Sequence, residues 1–391
     1  MSQLPSRVLA DSAAAATVLP CVDDIVSVHR PTEPLLCLRP ATLRANAAEF
    51  TASFPGATLY AVKCNPDPAV LRALHDGGVR HFDCASIGEI RAVRSLFADA
   101  PIHFMHPVKA RPAIAEAYAV HGVRDFVLDS AAELAKILEE TGNARDLGLV
   151  VRIALPPSGA YYELAGKFGA PHEEAVALLR AARPRASRLG ISFHVGSQCT
   201  DPLAWRRAIQ LAGDVLREAA VTLDVLDVGG GFPVAYPGMD VPPLGAFMAE
   251  IEAAVDSLDL PVAPALWAEP GRALVAAGAS VVVQVQGRRG EELFINDGIY
   301  GTLSDAGAPG FRYPARLLRA SQAAPQGFAF FGPTCDSADR MRGPFLLPAD
   351  VGEGDWLEIG QLGAYGAALR TAFNGFAPTA QVEVRDLPIA A

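Results

Sequence analysis

The chain is short of several things that would point it elsewhere. It has no run of five or more basic residues, and 43 acidic against 33 basic residues leave a formal charge of −10. That balance disfavours nucleic acid or an anionic membrane as main partner, and mildly favours a cationic substrate. No stretch of eighteen uninterrupted apolar residues occurs, so no transmembrane span is expected. Six cysteines in 391 residues are too few for a disulfide framework and form no Cys-x-x-Cys pair. Reduced thiols in a cytoplasmic protein are the simpler reading. The first twenty residues are Ala-rich but lack a charged start and a long apolar core, so no signal peptide is expected, and residues 1–34 read as partly flexible. A G-x-G-x-x-G nucleotide loop is also missing.

What is present is a rhythm. Short apolar runs occur at Leu59–Lys63, His81–Ser86, Ile102–Pro107, Asp125–Ser130, Leu149–Leu155, Ile191–Ser197, Val225–Gly231 and Ala265–Gly271. Segments with apolar residues at helical spacing separate them, the longest at Pro202–Ala219 and Pro243–Leu258. Eight β-then-α units predict an α/β fold, a (β/α)8 barrel, with a doubly wound sheet as runner-up. Beyond residue 275 helical periodicity fades, and Ser280–Gln286, Leu293–Asn296, Phe328–Gly332 and Asp355–Ile359 read as strands. The predicted division is a barrel over 38–274 and a β-sandwich or β-barrel domain from 1–37 and 275–391, joined by a strand near Leu35.

In such a barrel the chemistry gathers where strands end. The runs close on Lys63, Ser86, His106, Asp129, Arg152, His194 with Ser197, Gly229 to Gly231, and Glu269 with Arg272. Lys63 ends a run of apolar residues; burial there would lower its pKa and make a nucleophilic amine suited to Schiff-base chemistry, or else it is a solvated lysine at a strand end. The triple glycine is an anion cradle or a tight turn. Glu269 and Arg272 are a partner for a ring nitrogen and a phosphate clamp, or a local ion pair. His194 is a ring to stack on a planar cofactor, with Ser197 donating to its phosphate, or else a structural or metal-ligating histidine. His103 and His106 lack ligand spacing with His194, so a metal is not favoured. Cys335, in a Gly-Pro-Thr-Cys-Asp turn, is a proton donor or a small buried apolar residue. Asp305 and Asp336 would capture a distal ammonium, or are simply solvated.

Together these motifs resemble the fold-type III pyridoxal-phosphate decarboxylases of basic amino acids, over about Leu35 to Phe376. The matching stretches are Tyr60-Ala-Val-Lys63-Cys-Asn, Phe82-Asp-Cys-Ala-Ser86, His194-Val-Gly-Ser197, Asp227-Val-Gly-Gly-Gly-Phe-Pro233, Glu269-Pro-Gly-Arg272, Asn296-Asp-Gly-Ile-Tyr-Gly301, Gly332-Pro-Thr-Cys-Asp336, Gly363-Ala-Tyr365 and Phe373-Asn-Gly-Phe376. The resemblance implies pyridoxal 5'-phosphate as cofactor, carried covalently by Lys63. It implies that His194 stacks on the ring and that Glu269 keeps the ring nitrogen protonated. Ser197, Gly231, Arg272 and Tyr365 would hold the phosphate, with Asp83, Arg152, Gly230 and Gly271 completing the cofactor site. Cys335 would govern protonation after carbon dioxide leaves; Asp305, Asp336 and Phe373 would line the substrate pocket. It further implies a homodimer in which Cys335 and Asp336 serve the other subunit's site, with Lys167 and Asp339 as an inter-subunit ion pair.

The expected reaction is decarboxylation of L-ornithine to putrescine, a step of polyamine biosynthesis. The alternatives are L-lysine or another diamino acid, a racemase-like enzyme, and a catalytically silent regulatory binder. The stretch between Asn296 and Asp305 is shorter than in the animal enzymes, which bears on the placement of Asp305. Cys335-Asp336-Ser337 stands where diaminopimelate decarboxylases have Cys-Glu-Ser, which favours a substrate ending in a cation over one ending in a second carboxylate.

Overall fold

The computed structural model describes residues 20–162, 166–376 and 380–390. The expectations for residues 1–19 lie outside these. The chain runs through α1 (Val22–His29), β1 (Leu35–Leu38) and α2 (Pro40–Ser53) into eight strands that close a parallel barrel. They are β2 (Ala57–Ala61), β3 (His81–Cys84), β4 (Ile102–Phe104), β5 (Asp125–Leu128), β6 (Gly148–Arg152), β7 (Arg188–Ser192), β8 (Val225–Asp227) and β9 (Ala265–Ala268). Helices α3 (Pro68–Asp76), α4 (Ile87–Leu96), α5 (Arg111–Ala119), α6 (Ala131–Glu140), α7 (His172–Ala182), α8 (Leu203–Ala219) and α9 (Leu244–Asp256) lie between them, and α10 (Arg272–Val275) follows β9. All eight expected runs are strands, and the doubly wound alternative falls because β2 pairs with both β3 and β9.

The strands stop two or three residues short of most of the expected ends. Of the polar residues read as strand ends, only Arg152 lies within its strand; Lys63 sits in a 3-10 turn, Val62–Cys64, directly after β2. Ser86 and Ser130 have a structural task instead. Each accepts the N–H of the glutamate three residues on, Glu89 or Glu133, at 3.2 Å, capping α4 and α6. Glu89 also accepts the Ala85 N–H at 2.7 Å, one residue before the cap, which ties the approach to the helix.

The barrel interior is filled by Leu59, Met105, Val127, Val150, Val225 and Trp267. Outside it, α8 presents Trp205, Ile209, Ala212 and Leu216 to the strands, all buried. Trp205 stacks on Phe232 at 4.8 Å, and Phe50 meets the same ring edge-on at 5.0 Å. Each large side chain buried in this way contributes roughly 2–3 kcal/mol. The ring just after the triple glycine is thereby held from two sides. At the starts of the strands, Asp125 lies 3.1 Å from His103 Nδ1 and accepts from Arg188 at 3.3 Å, and His103 meets His81 at 3.0 Å. Burial pushes the His81 imidazole down to about 4.

The second compact unit takes the residues up to Ala45, Ala235–Met239 and Leu274 onward. It is a mixed eight-stranded sheet of β1 with β10 (Ala279–Arg289), β11 (Glu292–Ile295), β12 (Ala315–Leu317), β13 (Pro325–Phe331), β14 (Arg340–Pro348), β15 (Trp356–Ile359) and β16 (Ala380–Glu383). The strand near Leu35 joins it as expected, antiparallel to β10 with Leu35 opposite Val282. Helix α1 packs Val22, Ile25 and Val26 on Leu35, Cys37, Val282 and Val384. The expectation of partial flexibility before residue 34 is corrected over this helix: its apolar residues recur at helical spacing and are buried. Among the described residues no helix is long and apolar enough to cross a membrane, and all six cysteines are free thiols.

Candidate active site

The site in the barrel is assembled from the turns that follow neighbouring strands. Lys63, after β2, reaches across to Asp83 on β3, with Nζ 3.1 Å from Oδ2. Asp83 is buried, whereas the Lys63 side chain is 43% exposed. This corrects the expectation of a buried lysine: the amine lies at the barrel mouth, beside a buried carboxylate. The chain has only four lysines. Lys109 and Lys136 both pair with Glu133, and Lys167 lies over the Phe168 ring at 5.0 Å. Lys63 alone is part of this group.

After β7, His194 is half-buried, and its Nδ1 accepts the Gly196 N–H at 3.0 Å. Burial pushes the imidazole well below its usual range, and the positive charges of Arg152 and Lys63 push the same way. The ring is therefore neutral. Ser197 is fixed by paired backbone bonds with Tyr162, at 3.0 and 3.1 Å. After β8 the chain passes through Gly229, Gly230 and Gly231. A Cβ on Gly230 would stand 2.5 Å from the Glu269 carbonyl oxygen and 3.2 Å from His194 Nε2. One on Gly231, where φ is +106°, would stand 2.3 Å from the Gly196 carbonyl oxygen. Glycine is required here because three turns approach one another at backbone distance.

After β9, Glu269 is half-buried, Gly271 packs on Cys64, and Arg272 is buried at the start of α10. Burial raises the Glu269 carboxyl well above its usual range, and the nearby carboxyls of Asp227 and Asp83 add to it; Lys63 and Arg152 pull the other way. Asp227 closes β8 and is fully buried. Its carboxyl is pushed up to about 6, chiefly by burial.

A second cluster of expected residues lies on the sheet unit. Cys335 is exposed, and its N–H donates to Asn374 Oδ1 at 3.0 Å. Asp336 accepts the Tyr300 hydroxyl on Oδ2 and the Ala338 N–H on Oδ1 at 2.9 Å. The Tyr300 bond holds the Asp336 carboxyl below its usual range. The Phe373 ring lies 4.9 Å from that of Tyr300. Asp305 is not a solvated loop carboxylate. It is buried in a 3-10 turn, Ser304–Ala306, and its carbonyl accepts the Phe311 N–H at 2.9 Å. Tyr365 follows Gly363 and Ala364 with φ at +62°. Asp339 is buried and fully engaged, accepting from Ile299 N–H at 2.9 Å and from the Thr334 hydroxyl at 2.7 Å. Lys167 is exposed.

Three residues received no role from the sequence. Asp227, Tyr300 and Asn374 each stand inside a motif already marked for its neighbours. The signal was there, a polar side chain beside a glycine turn, but one sequence does not tell a turn-former from a working group.

Residues 41–276 match the pyridoxal-dependent decarboxylase pyridoxal-binding domain, and residues 276–363 match the C-terminal sheet domain of the same enzymes. The chain is 33% identical to ornithine decarboxylase of Panagrellus redivivus, over 92% of this chain and 87% of that one. It superposes on the arginine decarboxylase of Paramecium bursaria Chlorella virus with a TM-score of 0.82 at 30% identity, over 93% of this chain and 99% of that one. The lysine/ornithine decarboxylase of Vibrio vulnificus, complexed with putrescine, gives a TM-score of 0.79 at 32% identity over 93% and 97%. The chain therefore belongs to the pyridoxal-dependent amino-acid decarboxylases, enzymes that use pyridoxal 5'-phosphate.

Proposed function

We propose that this enzyme decarboxylates L-ornithine to putrescine, and that the residues assembled above do so in the following roles. The barrel residues fit the cofactor. A lone amine sits beside a carboxylate, a neutral imidazole borders a glycine turn with no room for a Cβ, and Glu269 is a carboxyl raised by burial among other carboxyls. A protonated ring nitrogen would supply the cation that such a group favours. Pyridoxal 5'-phosphate, when bound, supplies an electron sink for the pair released as carbon dioxide departs. Lys63 provides the amine that carries it, held in place by Asp83. His194, kept neutral, offers its face to the ring, and Ser197, Gly231, Arg272 and Tyr365 hold the phosphate. Arg152, Gly230 and Gly271 shape the remainder. Function divides along the chain, with residues 38–274 as the cofactor domain and 1–37 with 275–391 as the β domain.

The observation that carries the choice of ornithine is the kind of carboxylate offered to the substrate. Asp305 and Asp336 are both short, and Tyr300 keeps Asp336 ionised. Two short carboxylates suit an ammonium three methylenes from the α-carbon; a substrate ending in a carboxylate would be repelled. Phe373 packs along the methylenes, and Cys335 delivers the proton to the α-carbon. The exposed Cys335 and half-exposed Phe373 suit a homodimer in which each copy lends this cluster to the other's barrel; Asp339, buried and engaged by Ile299 and Thr334 of its own chain, is left out of the expected pair with Lys167. Polyamine synthesis in the cytoplasm is the setting that follows.

Carbon dioxide release from ornithine, lysine and arginine at matched concentrations tests this. The expected kcat/KM favours ornithine over lysine by about tenfold, the scale of one methylene. Equal or better turnover of lysine would overturn the assignment.

A further inference from the structure

One carboxyl at the barrel mouth is left without a task by these roles. Asp227 is fully buried, and its Oδ1 accepts the Gly229 N–H at 2.9 Å. Its Oδ2 is buried and meets no N–H or O–H donor among the described residues. The side chain that it does reach is the carboxyl of Glu269. Two carboxylates do not hydrogen-bond each other without a proton between them.

Burial and the negative charge of Asp83 favour that proton at both groups; the positive charges of Lys63 and Arg152 near Glu269, and His103 near Asp227, oppose it. His194 is neutral. The backbone also fixes the pair: Glu269 donates its N–H to the Gly229 carbonyl at 2.8 Å, and Val228 donates to the Trp267 carbonyl at 2.8 Å.

We propose that Asp227 is a positioning residue: it shares one buried proton with Glu269, which fixes one oxygen of Glu269 and leaves the other oxygen to accept the N–H of the cofactor ring. This rests on the placement of Glu269 at the ring nitrogen proposed above. The charges then balance. A carboxyl pair with one proton carries a single negative charge, matching one ring cation, whereas two bare carboxylates would leave a buried excess. No bond other than that to the shared proton is made or broken.

The test is the dissociation constant of pyridoxal 5'-phosphate for the full chain freed of cofactor, measured by absorbance titration between pH 6 and 9. In Asp227→Asn, Oδ1 still accepts from Gly229, and the amide donates to Glu269 permanently. It should bind within about threefold of the unaltered chain at pH 7, while Asp227→Ala weakens binding roughly tenfold or more. As pH rises the unaltered pair loses its proton and the amide does not, so the ratio of the Asn variant's constant to the unaltered one should fall. An Asn variant as weak as the Ala variant, or a ratio flat from pH 6 to 9, overturns the proposal. Should the Ala variant not fold, the pH course of the Asn ratio decides alone. Glu269→Ala separates the two readings. If it binds cofactor as well as the unaltered chain, the placement of Glu269 fails and this proposal with it. If it binds weakly while Asp227→Asn behaves like Asp227→Ala, only the role of Asp227 falls.

Discussion

Two groups of buried acidic side chains, one in each unit of this chain, are treated in opposite ways. In the sheet unit Glu358 is 1% exposed and meets Arg39 at 2.5 Å, Ser280 at 2.7 Å and Arg316 at 2.7 Å. Arg39 in turn donates to Ser280 at 2.8 Å. Both Glu358 oxygens have a donor, and both guanidinium groups have a carboxylate. In the barrel, three carboxyls, Asp83, Asp227 and Glu269, raise one another's demand for positive charge; Lys63 pairs with Asp83, and Asp227 Oδ2 meets no donor among the described residues. A scaffold satisfies its buried charges because an unsatisfied one costs several kcal/mol. A site leaves them short of partners because a ligand is to complete them. Satisfaction, more than burial, separates the two.

Replacing one member of each group would break this contrast if it is false. Lys63→Ala should have the largest effect, lowering decarboxylation by roughly a thousandfold or more, because the amine proposed to carry the cofactor is gone. The visible absorbance of protein-linked pyridoxal 5'-phosphate should vanish with it. An unchanged cofactor spectrum would remove Lys63 from the site. Glu358→Ala is expected to act on stability instead, by about 3–5 kcal/mol, since it strands the buried Arg39 charge. Urea unfolding reads this directly. A loss below about 1 kcal/mol would mean that the sheet unit does not depend on its satisfied network in the way argued.

Much of the barrel was legible because period and burial agree there. Parallel strands buried on both faces read as continuous apolar runs, and the helices between them carry one apolar face. The sequence misplaced the ends of those strands. A run such as Leu59–Lys63 stays apolar through Val62, and nothing in composition marks where the backbone leaves the sheet at Ala61. It also misjudged Lys63, because an apolar approach to a lysine does not reveal the carboxylate twenty residues on that meets it. The sheet unit was harder to read. β12 is three residues long, and β14 carries Arg340, Arg342 and a Gly-Pro pair, so neither shows a clean alternation. Candidate site residues could be singled out where a rare local string marks them, as in Glu269-Pro-Gly-Arg272. Asp227 could not, since Glu269 lies just past the neighbouring strand and only the closed barrel brings the two turns together.

The smallest effect concerns a carboxyl of intermediate character. Asp297, in the sheet unit, is buried and accepts from the Gly298 N–H at 2.8 Å, the Thr302 N–H at 3.1 Å and the Thr302 hydroxyl at 2.5 Å. It has donors but no cation among these, and Asp339 stands nearby. Burial pushes its carboxyl up to about 6, with Asp339 adding to the rise and the hydrogen bonds opposing it. A carboxyl raised on folding gives up stability as pH increases: its contribution is whole below about pH 4 and is lost as pH passes through 6. A rise from an ordinary aspartate value to about 6 is equivalent to at most about 3 kcal/mol. Asp297→Asn cannot ionise, and its side-chain oxygen still accepts from Thr302, so the variant should lose less stability between pH 4 and 7 than the unaltered chain. Raised groups elsewhere, such as Asp227, titrate in both proteins and cancel in the difference. Equal slopes in the two unfolding series would show that Asp297 is as well satisfied as Glu358, and that three neutral donors serve a buried carboxylate as fully as a guanidinium does.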